Sequence, residues 1–237
     1  MKLFNLCTHV LLSWLAMIAP ALALIDIQPQ ISEVRDTPMT VEITNKGQRP
    51  EYVSISLSRL INPGVELADE RLEPITQTVR PQLYASPFQL KLAPGQSKTV
   101  TLKPLESVEQ EQVYRLDIKP VMNLLDPKQT NIAGSVVINL AFSALVRQLP
   151  LKETARLEVR CEAEGARFFA TGNTRYLVEN AIVDGSPNEP FNVYPGVPLL
   201  LKGTKIQAPE QPPCSGAGQG GPGASKQHAT ARLAPGI

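Results

Sequence analysis

The chain has 237 residues, of which 43% are hydrophobic, with 23 Lys and Arg against 22 Asp and Glu. That length suits two domains. A net charge of +1 excludes the broad electrostatic pull that nucleic acid or an anionic membrane exerts on a basic protein.

The first predicted element is a leader. Lys2 supplies a positive start, and residues 6–22 are apolar except for Thr8, His9 and Ser13. Ala21 and Ala23 then stand at the −3 and −1 positions of a signal-peptidase site. Cleavage after Ala23 makes 1–23 a signal peptide and leaves 22 basic against 22 acidic residues. Pro20 and the small residues argue against an uncleaved anchor, and no lipobox precedes Cys7. No later stretch approaches the roughly 20 apolar residues of a membrane helix, so the mature chain is expected to be soluble.

Helix signals are scarce, and 22 prolines interrupt them. Period-two alternation recurs instead. Met39, Val41 and Ile43 alternate with polar residues, as do Val53, Ile55 and Leu57. Val100 and Leu102 follow the turn at 93–95, and Tyr114, Leu116 and Ile118 alternate with Arg115, Asp117 and Lys119. A long strand over 136–146 closes the series. These elements predict an antiparallel sandwich of the immunoglobulin type over 24–147.

Residues 148–150 read as a linker. A smaller β domain is predicted over 148–237, with strands at 155–160, 166–171 and 176–183 and a turn at 193–197 before the apolar 198–201. After Ala208 the chain turns to Pro, Gly, Ser and Gln, a composition expected to form a mobile tail. A last weak strand is predicted at 229–233.

Catalytic chemistry finds no residue set. A serine or cysteine hydrolase needs a base, yet the two histidines are His9 in the leader and His228 in the tail. No phosphate-binding glycine loop follows a strand. Asp69 with Glu70, and Glu109 with Glu111, imitate a glycosidase pair, but their turn-like, charged context reads as solvated surface. No enzyme, cofactor or metal site is expected. Cys161 and Cys214 are the cysteines left after cleavage, and an oxidising compartment permits a disulfide between them.

The strand over 136–146 carries Val136, Ile138, Leu140, Phe142, Ala144 and Val146 on one face. By itself the pattern also fits an ordinary core strand. Several segments resemble the periplasmic chaperones of the chaperone–usher pilus pathway, in the branch serving coli-surface-factor-type, or alternate, fimbriae. They are IDIQP at 25–29, INPG at 61–64, LAPGQSKTVTL at 92–102, VYR at 113–115, ALVRQLP at 144–150 and VYP at 193–195.

The resemblance implies an all-β fold of two immunoglobulin-like sandwiches joined by a short hinge, with a cleft that receives the pilus subunit. It implies a periplasmic protein with two partners, pilus subunits and an outer-membrane usher, and no nucleic acid or small-molecule substrate. The last strand of the first domain would complete a subunit that lacks its own, by donor-strand complementation. Val136, Ile138, Leu140 and Phe142 would enter the subunit groove. Burying four such side chains is worth about 6–12 kcal/mol, against an association cost of about 4–15 kcal/mol, so an anchoring charge should matter.

The family holds the subunit's C-terminal carboxylate with basic residues on its first and last strands. Here Ser143 stands at the lysine position, and Gln30, Ile31, Ser32 and Glu33 offer no base. Arg147 and Arg115 are the nearest candidate anchors. The alternatives are an ion pair between domains for Arg147 and simple solvation for Arg115. A structural pilus component or adhesin with similar domains is the competing reading of the whole chain.

Overall fold

The alternating segments become strands because each places its branched or aromatic residues on one face. The computed structural model describes residues 25–121 and 141–215. The first half carries β1 (Ile25–Gln28), β2 (Ile31–Val34), β3 (Met39–Asn45), β4 (Glu51–Leu60) and β5 (Leu72–Pro74). It continues with β6 (Leu83–Ser86), β7 (Gln89–Leu92), β8 (Ser97–Pro104), β9 (Gln112–Pro120) and β10 (Phe142–Gln148). One sheet has the order β1-β3-β8-β6, the other β2-β10-β9-β4-β5, with β7 also paired to β4.

The predicted apolar rows meet between these sheets. Val41, Ile43, Val100 and Leu102 face Val53, Ile55, Leu57, Leu116 and Ile118 in one buried core. The N-terminal segment joins both sheets. β1 pairs antiparallel with β3, and after Pro29 β2 crosses to pair in parallel with β10.

β10 ends later than the sequence pattern suggests. Gln148 is fully buried and belongs to the strand, and Leu149 and Pro150 are buried as well. The polarity of Gln148 imitates a linker, but its amide is satisfied internally. Its Nε2 donates to the Gln82 and Glu106 carbonyls at 3.2 and 2.9 Å, and its Oε1 accepts from the Tyr114 hydroxyl at 3.2 Å.

Burial pushes the Tyr114 phenol up to about 12, against a smaller opposing effect of Arg59. A phenol in the unfolded chain ionises near pH 10. Its stabilising contribution is therefore complete below pH 10 and lost as pH rises toward 12. Linkage sets that loss at up to about 3 kcal/mol. Urea unfolding at pH 9.5 and 11.5 should show Tyr114→Phe losing less stability over this interval than the wild type.

The second half is a smaller β domain with its own core. Its strands are β11 (Leu157–Glu162), β12 (Gly165–Ala170), β13 (Tyr176–Val178), β14 (Ile182–Val183) and β15 (Ser186–Pro187). They continue as β16 (Phe191–Val193), β17 (Leu199–Lys202), β18 (Lys205–Gln207) and β19 (Cys214–Ser215). Leu157, Phe168, Val178, Val193 and Ile206 centre its core, where Phe168 and Phe191 meet edge to face at 5.2 Å.

The strand predicted over 176–183 is two strands. Asn180 lies between them with φ +57°, a left-handed conformation that asparagine tolerates and that breaks the pleat. The Pro-rich segment at 209–215 is part of the fold, because β19 pairs with β18 and Cys214 forms a disulfide with Cys161 of β11. The predicted strand at 229–233 lies outside the described residues, as do the leader and most of the glycine-rich tail.

Candidate functional site

Among the described residues, β10 has a strand on both edges for only part of its length. β9 pairs with it antiparallel from Phe142 to Gln148, whereas β2 covers its other edge only from Leu145 to Gln148. The Leu145 amide makes the first bond on that side, to the Gln30 carbonyl at 2.9 Å. Among the described residues, no strand covers the outer edge of 142–144.

Of the predicted donor row, Val136, Ile138 and Leu140 lie outside the described residues. Phe142 is half-buried and packs against the chain's own core, and Ala144 and Val146 of the same row are inside it. Ser143, Leu145 and Arg147 lie on the opposite face of β10.

An apolar cluster joins the domains on that face. Leu60, Val113 and Tyr194 are buried together, with Leu145 and Val197 packed against them. Gly64 permits the close approach of Tyr194. Its φ is +94°, and a Cβ there would lie 3.2 Å from the Asn192 carbonyl and 3.3 Å from the Tyr194 ring.

Arg147 sits beside this cluster, its side chain 6% exposed. Its Nε donates to Glu111 Oε1 at 2.6 Å, and its Nη1 donates to Glu33. Glu111 is completely buried, and its Oε2 accepts from the Arg175 backbone amide of the second domain at 2.6 Å. The Glu111 amide in turn donates to the Asn173 carbonyl at 2.8 Å. Burial opposes the Arg147 charge, but the Glu111 bond and the Glu111, Glu33 and Tyr194 charges outweigh it and hold the guanidinium above its usual range. Arg35, bonded to Glu153 through Nε at 3.1 Å, adds an outer strut to the linker.

Arg115 lies on the same face, opposite Leu145 of β10 and Ser58 of β4. Its Nε donates to Glu70 Oε2 at 3.0 Å, and its Nη2 to Glu70 Oε1. This forked bond outweighs the partial burial and raises the Arg115 pKa.

No family model matches the chain. It is 26% identical over 145 residues to the B subunit of CS1 fimbriae from Escherichia coli, and 25% identical over 154 residues to the A subunit of CFA/I fimbriae from the same organism. These alignments cover 60% and 62% of this chain, and the chain spans only 60% and 63% of the relatives' own lengths.

Among solved structures, the class 5 fimbriae chaperone CfaA superposes with a TM-score of 0.63 at 20% identity, covering 89% of this chain and 99% of that one. A chain from a complex of the Salmonella enterica SafA pilin with the SafB chaperone superposes with a TM-score of 0.55 at 16% identity, covering 80% and 90%. The fold is that of the chaperone–usher pilus chaperones.

On this pilus-chaperone fold the two candidate anchors share one face, and both guanidiniums are occupied by carboxylates of the chain itself. Arg147 ion-pairs within the first domain, to Glu111 and Glu33, and it is Glu111 that reaches the second domain, through the Arg175 amide. Arg115 is ion-paired rather than simply solvated. Glu70 and Glu111, read from sequence as solvated, are the partners, with side chains 8% and 0% exposed. Their turn-like surroundings hid them, since the arginines they meet are 45 and 36 residues away. Cys161 and Cys214 are joined between β11 and β19 of the second half.

Proposed function

We propose that the chain is a periplasmic chaperone that completes pilus subunits by donor-strand complementation and passes them to an outer-membrane usher. The observation that carries this reading is the edge of β10. Among the described residues, β2 covers the strand only from Leu145 onward, and no described strand pairs with the outer edge of 142–144. An uncovered edge is a template for strand addition.

The direction of the pleat fits the same role. The inward row of Phe142, Ala144 and Val146, if continued, sets Val136, Ile138 and Leu140 on the core side of the sheet. The leader expected from the sequence and the disulfide both fit the oxidising periplasm.

The test replaces Ile138 and Leu140 with aspartate and measures the subunits that co-purify from periplasm. Recovery is expected to fall roughly tenfold or more, since each buried carboxylate lacks a partner in an apolar groove. Undiminished recovery would rule out the donor role. The two Escherichia coli relatives are named as fimbrial subunits, which favours a second reading, a structural pilus component. That reading requires the chain itself in surface fibres, where the chaperone reading requires its absence.

A further inference from the structure

The disulfide of the second half is open at one end and buried at the other. β11 directs Leu157, Val159 and Cys161 to one face. Burial declines along that row: Leu157 is buried, Val159 half-buried and Cys161 exposed. The row leaves the core at its last member. Cys214, by contrast, is 3% exposed and belongs to the core with Phe168 and Ile206.

The surroundings of Cys161 leave a second molecule room to approach. Its register partner in β12 is the small Ala166. Ala163 and Glu164, in the turn that follows, are exposed. Among the described residues, β12 is the only strand hydrogen-bonded to β11, so the other edge of β11 carries no strand.

Thiol–disulfide exchange is the attack of a thiolate on one sulfur of the bond, and access helps decide which sulfur is attacked. A thiolate that reached Cys214 would have to enter the core beside Phe168 and Ile206, after β19 had left β18. One that reaches Cys161 needs no strand to move.

We propose that Cys161 is the thiol–disulfide exchange site of this chain, the sulfur at which a disulfide-carrying oxidant hands over the bond. The Cys161 thiolate attacks the oxidant's disulfide. That S–S bond breaks, and the oxidant's second sulfur leaves as a thiolate. The Cys214 thiolate then attacks Cys161 Sγ, the mixed disulfide breaks, and the oxidant departs reduced to two thiols. The chain loses two electrons and two protons, and the oxidant gains them. Reduction by a thiol retraces the path, so the mixed disulfide again sits on Cys161 and Cys214 is set free.

The order of the strands supports the same assignment. β11 and β12 are joined by a two-residue turn, so Cys161 gains its neighbours in β12 as soon as this local hairpin forms. Cys214 arrives only with β19, which holds two residue pairs to β18. An oxidant on Cys161 is compatible with a folded core, whereas one on Cys214 would keep β19 out of it. This inference needs only an oxidising compartment and stands apart from subunit binding.

The experiment treats the native protein with reduced glutathione at about pH 8. Acid stops the exchange, N-ethylmaleimide blocks free thiols, and mass spectrometry of tryptic peptides locates the glutathione. Cys161 falls in residues 161–167 and Cys214 in residues 206–226. Glutathione on Cys161 should exceed that on Cys214 roughly tenfold or more. In urea, with both sulfurs open to attack, the two adducts should form about equally. A second arm treats Cys214→Ser with oxidised glutathione. It should take up one glutathione at Cys161 and keep the amide protection that Phe168 has in the unmodified variant.

Equal labelling in the native state, or glutathione chiefly on Cys214, overturns the site. So does a native disulfide that resists glutathione while the urea-unfolded chain reacts, since exchange would then require the fold to open first. Loss of Phe168 protection on modification of Cys214→Ser has the same force.

Discussion

Replacing Glu111 with alanine is expected to destabilise the protein by about 3–5 kcal/mol, the range for removing one partner of a buried ion pair. The pair itself need not be strongly stabilising. The loss arises because Arg147, with its side chain 6% exposed, keeps its charge and loses its buried partner. The exposed Glu33 cannot compensate. Its side chain is 41% exposed, and water screens such pairs to roughly 0–1 kcal/mol.

Three measurements check this. Urea unfolding should place Glu111→Ala far below the wild type and Glu33→Ala within about 1 kcal/mol of it. Glu111→Leu combined with Arg147→Met should recover most of the loss, because it removes both charges and keeps the volume. The Arg175 amide, bonded to Glu111 across the domain seam, should lose hydrogen-exchange protection in Glu111→Ala. A Glu111→Ala protein as stable as the wild type would refute the account.

Loss of the disulfide is the second large effect. Cys161 and Cys214 are separated by 53 residues in sequence. Chain-entropy theory assigns a loop of that size about 4 kcal/mol at 25 °C. The effect should be local. β19 is a two-residue strand paired to β18, and the disulfide ties it to β11. Reduction, or Cys161→Ser with Cys214→Ser, should therefore raise amide exchange at Ile206 in β18 and leave Val41 and Leu116 of the first core protected. Calorimetry with and without dithiothreitol should show the loss in the second domain first. Unchanged melting on full reduction would show that the strand pairs alone hold this end of the chain.

The strands that were legible in the sequence share one property. Val41 and Ile43, Val53, Ile55 and Leu57, and Leu116 and Ile118 lie in strands long enough for alternation to be read locally, and all are buried. β2, β5 and β7 have three or four residues each, too few for a period-two signal, and their positions depend on partners far away in sequence. The passage of the N-terminal segment from β3 to β10 is a tertiary event that no local pattern encodes.

The site divides in the same way. Arg115 and Arg147 were reachable from the sequence because they lie on the polar faces of regular strands. Glu70 and Glu111 were not. A carboxylate beside a turn carries no local sign of whether it faces water or a distant guanidinium. Gln148 was missed for a related reason: its burial depends on acceptors at Gln82 and Glu106.

Composition and periodicity by themselves determined a proline-rich, all-β chain and the main strands of its first sandwich, and they raised the expectation of export. They could do so because signal peptides and strand faces are written in neighbouring residues. Only the tertiary structure decided where the pairing of β2 with β10 begins and which carboxylates fill the two arginines. It also decided that Glu111 bonds across the domain seam. Those features arise from pairing between residues tens of positions apart, which folding brings together and no local period records.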